Sequence, residues 1–130
     1  KLLKYVDILN VNKREAGQIV PGATLTELLY RLQNYANTII ITDGAMGGIA
    51  GDGSEAYRFG IYEDKKINDA TGAGDAFGSG FLASIAAGKP FKNALVFASA
   101  NSTAVVSKLG ANRGILTGLE HLHPMPIQKL

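Results

Sequence analysis

One short stretch decides how this sequence is interpreted, and it reads Asn68-Asp69-Ala70-Thr71-Gly72-Ala73-Gly74-Asp75-Ala76-Phe77-Gly78. Small residues lead directly into an apolar periodic segment, which predicts a tight turn followed by a helix. The first amides of a helix lack partners within it, and together with the helix dipole they favour an anion. Gly72 and Gly74 would let a ligand approach the backbone closely. The stretch therefore predicts an anion site at the start of a helix.

Asp75 falls in the first turn of this predicted helix. An acidic residue there has a simple explanation, because a negative charge suits the helix dipole. A carboxylate beside an anion site can also take a proton from a hydroxyl that attacks a bound phosphoryl group, while the amides stabilise charge on that group. The residues alone leave both interpretations open.

Outward from this stretch, strands and helices alternate. Apolar runs predict strands at residues 5–10, 38–42, 47–50 and 56–62. Periodic segments predict helices at residues 12–18, 24–35, 72–87 and 91–109. Asn12 is expected to cap the first helix and Gly17 to end it, and Thr24 with Glu27 forms a capping-box pattern in the second. The β-branched run at residues 38–42 fits a parallel strand buried on both faces. The alternation predicts an α/β fold with a mostly parallel sheet, whereas the tail after residue 119 shows little pattern.

Length and composition narrow the class of protein. The 130 residues fit a single domain over residues 1–130. With 13 basic and 11 acidic residues the net charge is +2, which argues against a nucleic-acid partner. The absence of cysteine excludes disulfides and Cys-based zinc sites and fits a cytoplasmic location. The apolar runs are too short to predict a membrane span, and the start at Lys1 suggests part of a longer protein.

Residues 69–78 resemble the C-terminal signature of the ribokinase (pfkB) family of carbohydrate kinases. The resemblance implies a ribokinase-like (Rossmann-like) fold of which this chain is the C-terminal half. It implies ATP-dependent phosphorylation of a hydroxyl on a sugar or sugar-like substrate. It also assigns the catalytic base to Asp75 and the anion hole to Gly72, Ala73 and Gly74, with Thr71 beside the nucleotide.

A second segment, Asn12-Lys13-Arg14-Glu15, is similar to the Asn-x-x-Glu element of the same family. The resemblance implies that Asn12 and Glu15 organise Mg²⁺ and the phosphates. Three positions apart on a helix, they lie on one face, and Mg²⁺ prefers oxygen ligands and keeps several waters. The simpler alternative is that Asn12 is only a cap and Glu15 only a solvated charge.

Further segments match the family in order. The loop Thr42-Asp43-Gly44-Ala45-Met46-Gly47 resembles its Thr-x-Gly-x-x-Gly loop, which implies that Thr42, Gly44 and Gly47 bind the nucleotide. Residues 98–102 resemble the adenine wall, with Ser99 and Ser102 as contacts. Residues 108–112 resemble a loop that binds a monovalent cation such as K⁺, and Asp69 would be its side-chain ligand. Each glycine also has the alternative of an ordinary turn, and each serine that of an ordinary helix residue.

Other classes of protein are less well supported. The phosphate-binding P-loop pattern is absent, and residues 72–78 are one residue longer than a dinucleotide fingerprint. A non-catalytic nucleotide- or metabolite-binding module stays open as the alternative to a kinase, and a dehydrogenase-like fragment is a weaker third hypothesis. The expected partners are ATP and a sugar or nucleoside, with no nucleic acid and no membrane. The resemblance also suggests a homodimer.

Overall fold

The structure, a computed structural model, describes residues 5–62, 72–107, 116, 122 and 124–130. The chain divides into two units. The first comprises Lys1–Gly60 together with Ile127–Leu130, and the second comprises Ile61–Pro126. The predicted Asp69 and Thr71, and the loop at residues 108–112, lie outside the described residues.

The first unit is a five-stranded sheet with two helices. Its elements in chain order are β1 (Ile8–Asn12), α1 (Lys13–Ile19), α2 (Leu25–Leu32), β2 (Thr38–Thr42), β3 (Gly48–Gly51), β4 (Ala56–Phe59) and β5 (Ile127–Lys129). The strands lie side by side in the order β1-β2-β3-β4-β5. Because β1 and β2 are parallel, both carboxyl ends reach the same edge of the sheet.

The prediction of a mostly parallel sheet is wrong for the strands that the structure describes, since only β1 and β2 pair in parallel and the other three pairs are antiparallel. For β3 the physical reason is its short connections to β2 and β4, which allow only antiparallel neighbours, whereas β5 reaches β4 from the C-terminal end of the chain. In the β3–β4 turn, the Asp52 carboxylate accepts hydrogen bonds from the Ser54 amide at 3.0 Å and the Glu55 amide at 2.9 Å. Partial burial acts to raise the pKa of Asp52, but these bonds and one from the Ser54 hydroxyl outweigh it, so the pKa is lowered.

The core of the first unit lies between the two helices and one face of the sheet. It joins the apolar face of α2 to side chains from both β2 and β3, and it consists of Ala16, Val20, Leu25, Leu28, Leu29, Leu32, Ala36, Ile39, Ile41 and Ile49. The middle residues of β2, Ile39, Ile40 and Ile41, are all completely buried, so both of its faces are covered. Burial of β2 on both faces is therefore confirmed.

The two predicted helix caps, Asn12 and Thr24, are confirmed, while the predicted ends of α1 and α2 are wrong. Asn12 caps α1 and Thr24 caps α2, each in a complete capping box. Gly17 does not end α1 but lies inside it, because Val20 is the C-cap and its amide bonds to the Ala16 carbonyl. The strand predicted at residues 5–10 is shifted to Ile8–Asn12, and α2 stops at Leu32 rather than at residue 35. The tail forms β5, which was not predicted.

The second unit is built on a pair of helices, α3 (Ala73–Ala86) and α4 (Phe91–Val106). They are joined by a short turn in which Gly88 has a φ of 73°, as expected of a glycine that ends a helix. The rings of Phe81 and Phe91 pack edge to face with centroids 5.6 Å apart. Within the described residues, none of the helices combines the length and apolar character needed to cross a membrane.

Candidate active site

In the first unit, the predicted site residues gather at the carboxyl ends of β1 and β2. Asn12 and Thr42 are the last residues of these strands and lie opposite each other in the parallel register. The side chain of Lys13, which follows Asn12, forms an ion pair of 3.1 Å with Asp43, which follows Thr42. The Asn-x-x-Glu segment and the glycine loop are therefore neighbours, and a direct contact joins them.

Asn12 and Glu15 hold each other in place. The Asn12 Oδ1 accepts a hydrogen bond from the Glu15 amide at 2.9 Å, and the Glu15 Oε2 accepts one from the Asn12 amide at 2.9 Å. Both residues are exposed. Asn12 is thus a helix cap, as the simpler interpretation predicts. The box also fixes the carboxylate, and the Glu15 Oε1 takes no part in it.

Gly44 and Gly47, which follow β2, are required for different structural reasons. Gly44 opens the 3₁₀ turn Gly44–Met46 with a φ of 55°, and a Cβ there would meet nothing within 4 Å. Gly47 has a φ of 79°, and a Cβ there would collide with the carbonyl of Phe59. Packing alone therefore requires glycine at position 47, whereas position 44 requires it only for its backbone conformation.

In the second unit, α3 begins without a side-chain cap. Its N-cap is Gly72, which adopts the left-handed conformation with a φ of 81°. A glycine has no side-chain oxygen with which to cap the amides of the first turn. The Ala76 amide bonds to the Gly72 carbonyl at 2.9 Å, which closes the turn around Ala73, Gly74 and Asp75.

Asp75 occupies the third position of its helix, as Glu15 and Glu27 do in α1 and α2. Those two glutamates each bond back to the amide of the N-cap residue. Asp75 is exposed and forms no capping box with Gly72. A role in capping therefore explains the two glutamates but does not explain Asp75.

Side chains of α4 support the first turn of α3. The Ser102 hydroxyl donates a hydrogen bond of 2.9 Å to the Ala73 carbonyl, and the Asn101 Nδ2 donates one of 2.7 Å to the Ala76 carbonyl. Ser99 is buried, with 5% of its surface exposed. The contacts of Ser99 and Ser102 with a nucleotide stay predictions, and the observed role of Ser102 is to bind the backbone of α3.

The predicted residues fall in different units. The first unit contains Asn12, Glu15, Thr42, Gly44 and Gly47, and the second contains Gly72, Ala73, Gly74, Asp75, Ser99 and Ser102. Within the described part of the chain, no three His, Cys, Asp or Glu side chains form a metal-binding group.

Three contacts were not anticipated from the sequence, namely the Lys13–Asp43 ion pair and the hydrogen bonds from Asn101 and Ser102 to α3. They join residues 25 to 30 positions apart, which no local pattern reveals. One signal was available for Asn101, because an amide within the small and apolar run of α4 must be buried and must then find partners.

Comparisons with known proteins agree with these features. The model of the pfkB family of carbohydrate kinases matches residues 1–117. The chain is 28% identical to the ribokinase of Lactococcus lactis over 88% of its length and 33% identical to the ATP-dependent 6-phosphofructokinase of Thermoanaerobacterium thermosaccharolyticum over 85%. These matches cover 37% and 34% of the two relatives, so the chain spans about a third of their length.

Solved structures show the same fold. A candidate ribokinase II of E. coli, solved in complex with ATP and Mg²⁺, superposes with a TM-score of 0.79 at 24% identity. The superposition covers 88% of this chain and 37% of the E. coli protein. The ribokinase-like fold, with a five-stranded sheet of mixed orientation flanked by helices, is therefore confirmed.

Proposed function

Since this chain belongs to the pfkB family of carbohydrate kinases, we propose that it forms the ATP-binding, catalytic part of an enzyme that phosphorylates a hydroxyl of a sugar or sugar-like alcohol. The observation that carries this proposal is the start of α3. There an uncapped helix begins at a left-handed glycine, and Asp75 stands in its first turn without taking part in a cap.

The start of α3 suits a transferring phosphoryl group. The amides of Ala73 and Gly74 belong to the first turn, where the positive end of the helix dipole favours negative charge. Donors fixed in this way stabilise charge that develops during transfer without having to reorganise. The bonds from Ser102 and Asn101 hold the carbonyls of this turn and so keep its amides in place.

Asp75 is the proposed general base. The oxygen of the acceptor hydroxyl attacks the γ-phosphorus of ATP, its proton passes to the Asp75 carboxylate, and ADP leaves with the electrons of the broken P–O bond. The exposed position of Asp75 leaves its carboxylate accessible to an acceptor. A phosphoryl group held at the first amides of α3 would place the reacting hydroxyl within reach of the same turn.

Asn12 and Glu15 are proposed to organise Mg²⁺, which neutralises phosphate charge when it is bound. The fit rests on the chemistry of the donors, because both residues present oxygen atoms on one exposed turn and the capping box fixes the Glu15 carboxylate. Mg²⁺ commonly uses one or two carboxylates together with waters and substrate phosphates. Asp69, as a ligand of K⁺, stays a prediction.

Thr42, Gly44 and Gly47 belong to the proposed nucleotide loop, and the Lys13–Asp43 ion pair lies beside it. Gly44 is exposed and its surroundings are open, so a phosphate or ribose can approach its backbone. ATP as the donor is supported by the relative named as an ATP-dependent kinase and by the E. coli neighbour solved with ATP. Cytoplasmic location, dimerisation and the absence of a nucleic-acid partner stay predictions.

The test is the release of ADP from ATP and Mg²⁺ across a panel of sugars and nucleosides, with and without K⁺. We expect turnover that depends on one class of acceptor, together with the corresponding phosphorylated product. Binding of ATP without turnover on any acceptor would contradict the kinase and favour the non-catalytic binding module. Binding of NAD in preference to ATP would favour the dehydrogenase-like hypothesis.

A further inference from the structure

The side-chain amide of Asn101 is buried, and both its nitrogen and its oxygen form hydrogen bonds. Only 2% of its surface is exposed. Its Nδ2 donates to the Ala76 carbonyl at 2.7 Å, and its Oδ1 accepts from the Leu116 amide at 2.8 Å. One partner accepts and the other donates, so only one orientation of the amide satisfies both. A buried polar group with this arrangement ties three segments of the chain together.

The place at which Asn101 binds α3 is next to the proposed catalytic carboxylate. Ala76 directly follows Asp75. Ser102, the neighbour of Asn101, binds the Ala73 carbonyl at 2.9 Å. Two consecutive side chains of α4 therefore hold the backbone on both sides of Asp75, and they restrict how the first turn of α3 can tilt or unwind.

The helices are shaped to permit this contact. A Cβ at Gly80 of α3 would lie 3.1 Å from the Asn101 Cβ and 3.3 Å from both its Nδ2 and the Ala98 Cα. Glycine weakens a helix interior, so its presence at position 80 has a packing reason. Without a side chain there, α4 comes close enough for Asn101 to reach the Ala76 carbonyl.

We propose that Asn101 is a positioning residue for phosphoryl transfer, which fixes the first turn of α3 relative to the chain at Leu116. The proposal rests on the proposed function, because the geometry that it protects is that of Asp75 and the anion hole. Displacement of a catalytic group by about 1 Å can lower the rate by about 10²-fold. The effect of losing Asn101 therefore falls on kcat more than on the KM for ATP.

The experiment compares Asn101→Ala, Asn101→Asp and Leu95→Ala in the protein. Leu95 is completely buried in the same helix, and its replacement lowers stability without removing either hydrogen bond of the Asn101 side chain. We expect Asn101→Ala to lower kcat by roughly 10–100-fold at a temperature where all variants are folded. Leu95→Ala keeps the wild-type kcat under the same conditions.

Asn101→Asp adds a pH-dependent readout. The ionised carboxylate cannot donate to the Ala76 carbonyl, whereas the protonated acid donates to it and still accepts from the Leu116 amide. We therefore expect its kcat, relative to wild type, to recover as the pH falls. If Asn101 had only a structural role, the kcat of folded Asn101→Asp relative to wild type would not change with pH.

Amide hydrogen exchange tests the coupling of the three segments without relying on kinase activity. In Asn101→Ala we expect faster exchange at Ala76, Phe77 and Leu116 than in Leu95→Ala. An inactive wild-type protein that shows this pattern would overturn the kinase proposal but retain the coupling of the three segments. Equal exchange in the two variants, or a kcat in Asn101→Ala equal to that of Leu95→Ala, would overturn the role of Asn101.

Discussion

Gly72 and Gly74 lie two positions apart but meet different needs. Gly72 has a φ of 81°, which disfavours any residue with a Cβ. Gly74 lies within α3 without a positive φ, and a Cβ there would meet none of the described residues within 4 Å. The fold therefore requires glycine at position 72 but accepts alanine at position 74. The approach of a phosphoryl group to the backbone would explain why position 74 is glycine although the fold does not require it.

Gly74→Ala is expected to separate stability from activity. Alanine favours the helix, so the free energy of unfolding should stay the same or rise by up to about 1 kcal/mol. Turnover should fall, because the added methyl group lies where the phosphoryl group approaches the amides. Urea unfolding and steady-state kinetics measure the two effects.

Gly72→Ala is the matched comparison for Gly74→Ala. It should lower the free energy of unfolding by about 1–2 kcal/mol, because alanine is strained in the left-handed conformation. An unchanged kcat and KM in Gly74→Ala would show that no ligand needs the space at this position, and would contradict the anion hole.

At the residue scale, the sequence was informative wherever a local rule applies. A glycine turn before Asp75 and the spacing of Asn12 and Glu15 belong to single segments, so the sequence alone predicted the start of one helix and the cap of another. The partners of Asn101 and Ser102 could not be predicted, because their bonds depend on how α3 and α4 pack.

At the element scale, α2 shows how capping depends on ionisation. The Glu27 Oε2 accepts hydrogen bonds from the Ala23 amide at 2.8 Å and the Thr24 amide at 3.2 Å. These bonds, followed in importance by the charge of Arg31, lower the pKa of Glu27 below its ordinary value of 4.5. A lowered pKa in the folded state means that the ionised carboxylate stabilises the fold.

We expect the advantage of wild type over Glu27→Gln to depend on pH. It should be fully present above the ordinary pKa of 4.5 and should be lost as the pH falls through the lowered folded-state value. Thermal unfolding between neutral and acidic pH measures it. Thr24→Ala is the comparison: losing this cap costs about 1 kcal/mol, and its effect should change less with pH because the Thr24 side chain is the smallest of the causes that lower the pKa of Glu27. A difference between wild type and Glu27→Gln that does not change with pH would contradict the account.

The features of the sheet that the sequence failed to predict have different physical causes. The three residues of β5 show little pattern by themselves, and they become a strand because the edge of β4 offers them partners. The parallel sheet was predicted from the alternation of elements, but the short connections around β3 enforce hairpins. By contrast, α2 was predicted well at its start because its cap and its leucines are local signals.

At the scale of the whole molecule, the C-terminal residues complete the sheet of the first unit. Deletion of residues 127–130 should lower the thermal unfolding temperature, because it removes the pairing of β5 with β4 and exposes that edge. Lys129→Gln is the matched control. It removes only the 3.5 Å ion pair with Glu55, which is partly exposed and should contribute about 0–1 kcal/mol. Equal unfolding temperatures for the deletion and wild type would show that β5 does not support the unit.

The share of each relative that this chain matches indicates which parts of the proposed reaction can be assigned to the chain. The chain spans about a third of the ribokinase and phosphofructokinase that it resembles. The proposed phosphate, nucleotide and base groups all lie within this third. Relatives named as a ribokinase and as a 6-phosphofructokinase both match most of this chain, which agrees with the proposal that this third carries the phosphoryl-transfer step.

The role of Asp75 as the catalytic base is tested by the turnover of Asp75→Asn, measured beside Asp7→Asn with the acceptor that the panel identifies. Asp7 is an exposed aspartate outside the proposed site, so the two variants remove the same charge at different places. If Asp75 is the general base, kcat falls by about 10²–10⁴-fold in Asp75→Asn, while the affinity for ATP is kept and Asp7→Asn behaves as wild type. A wild-type kcat in Asp75→Asn would contradict the assignment of the catalytic base.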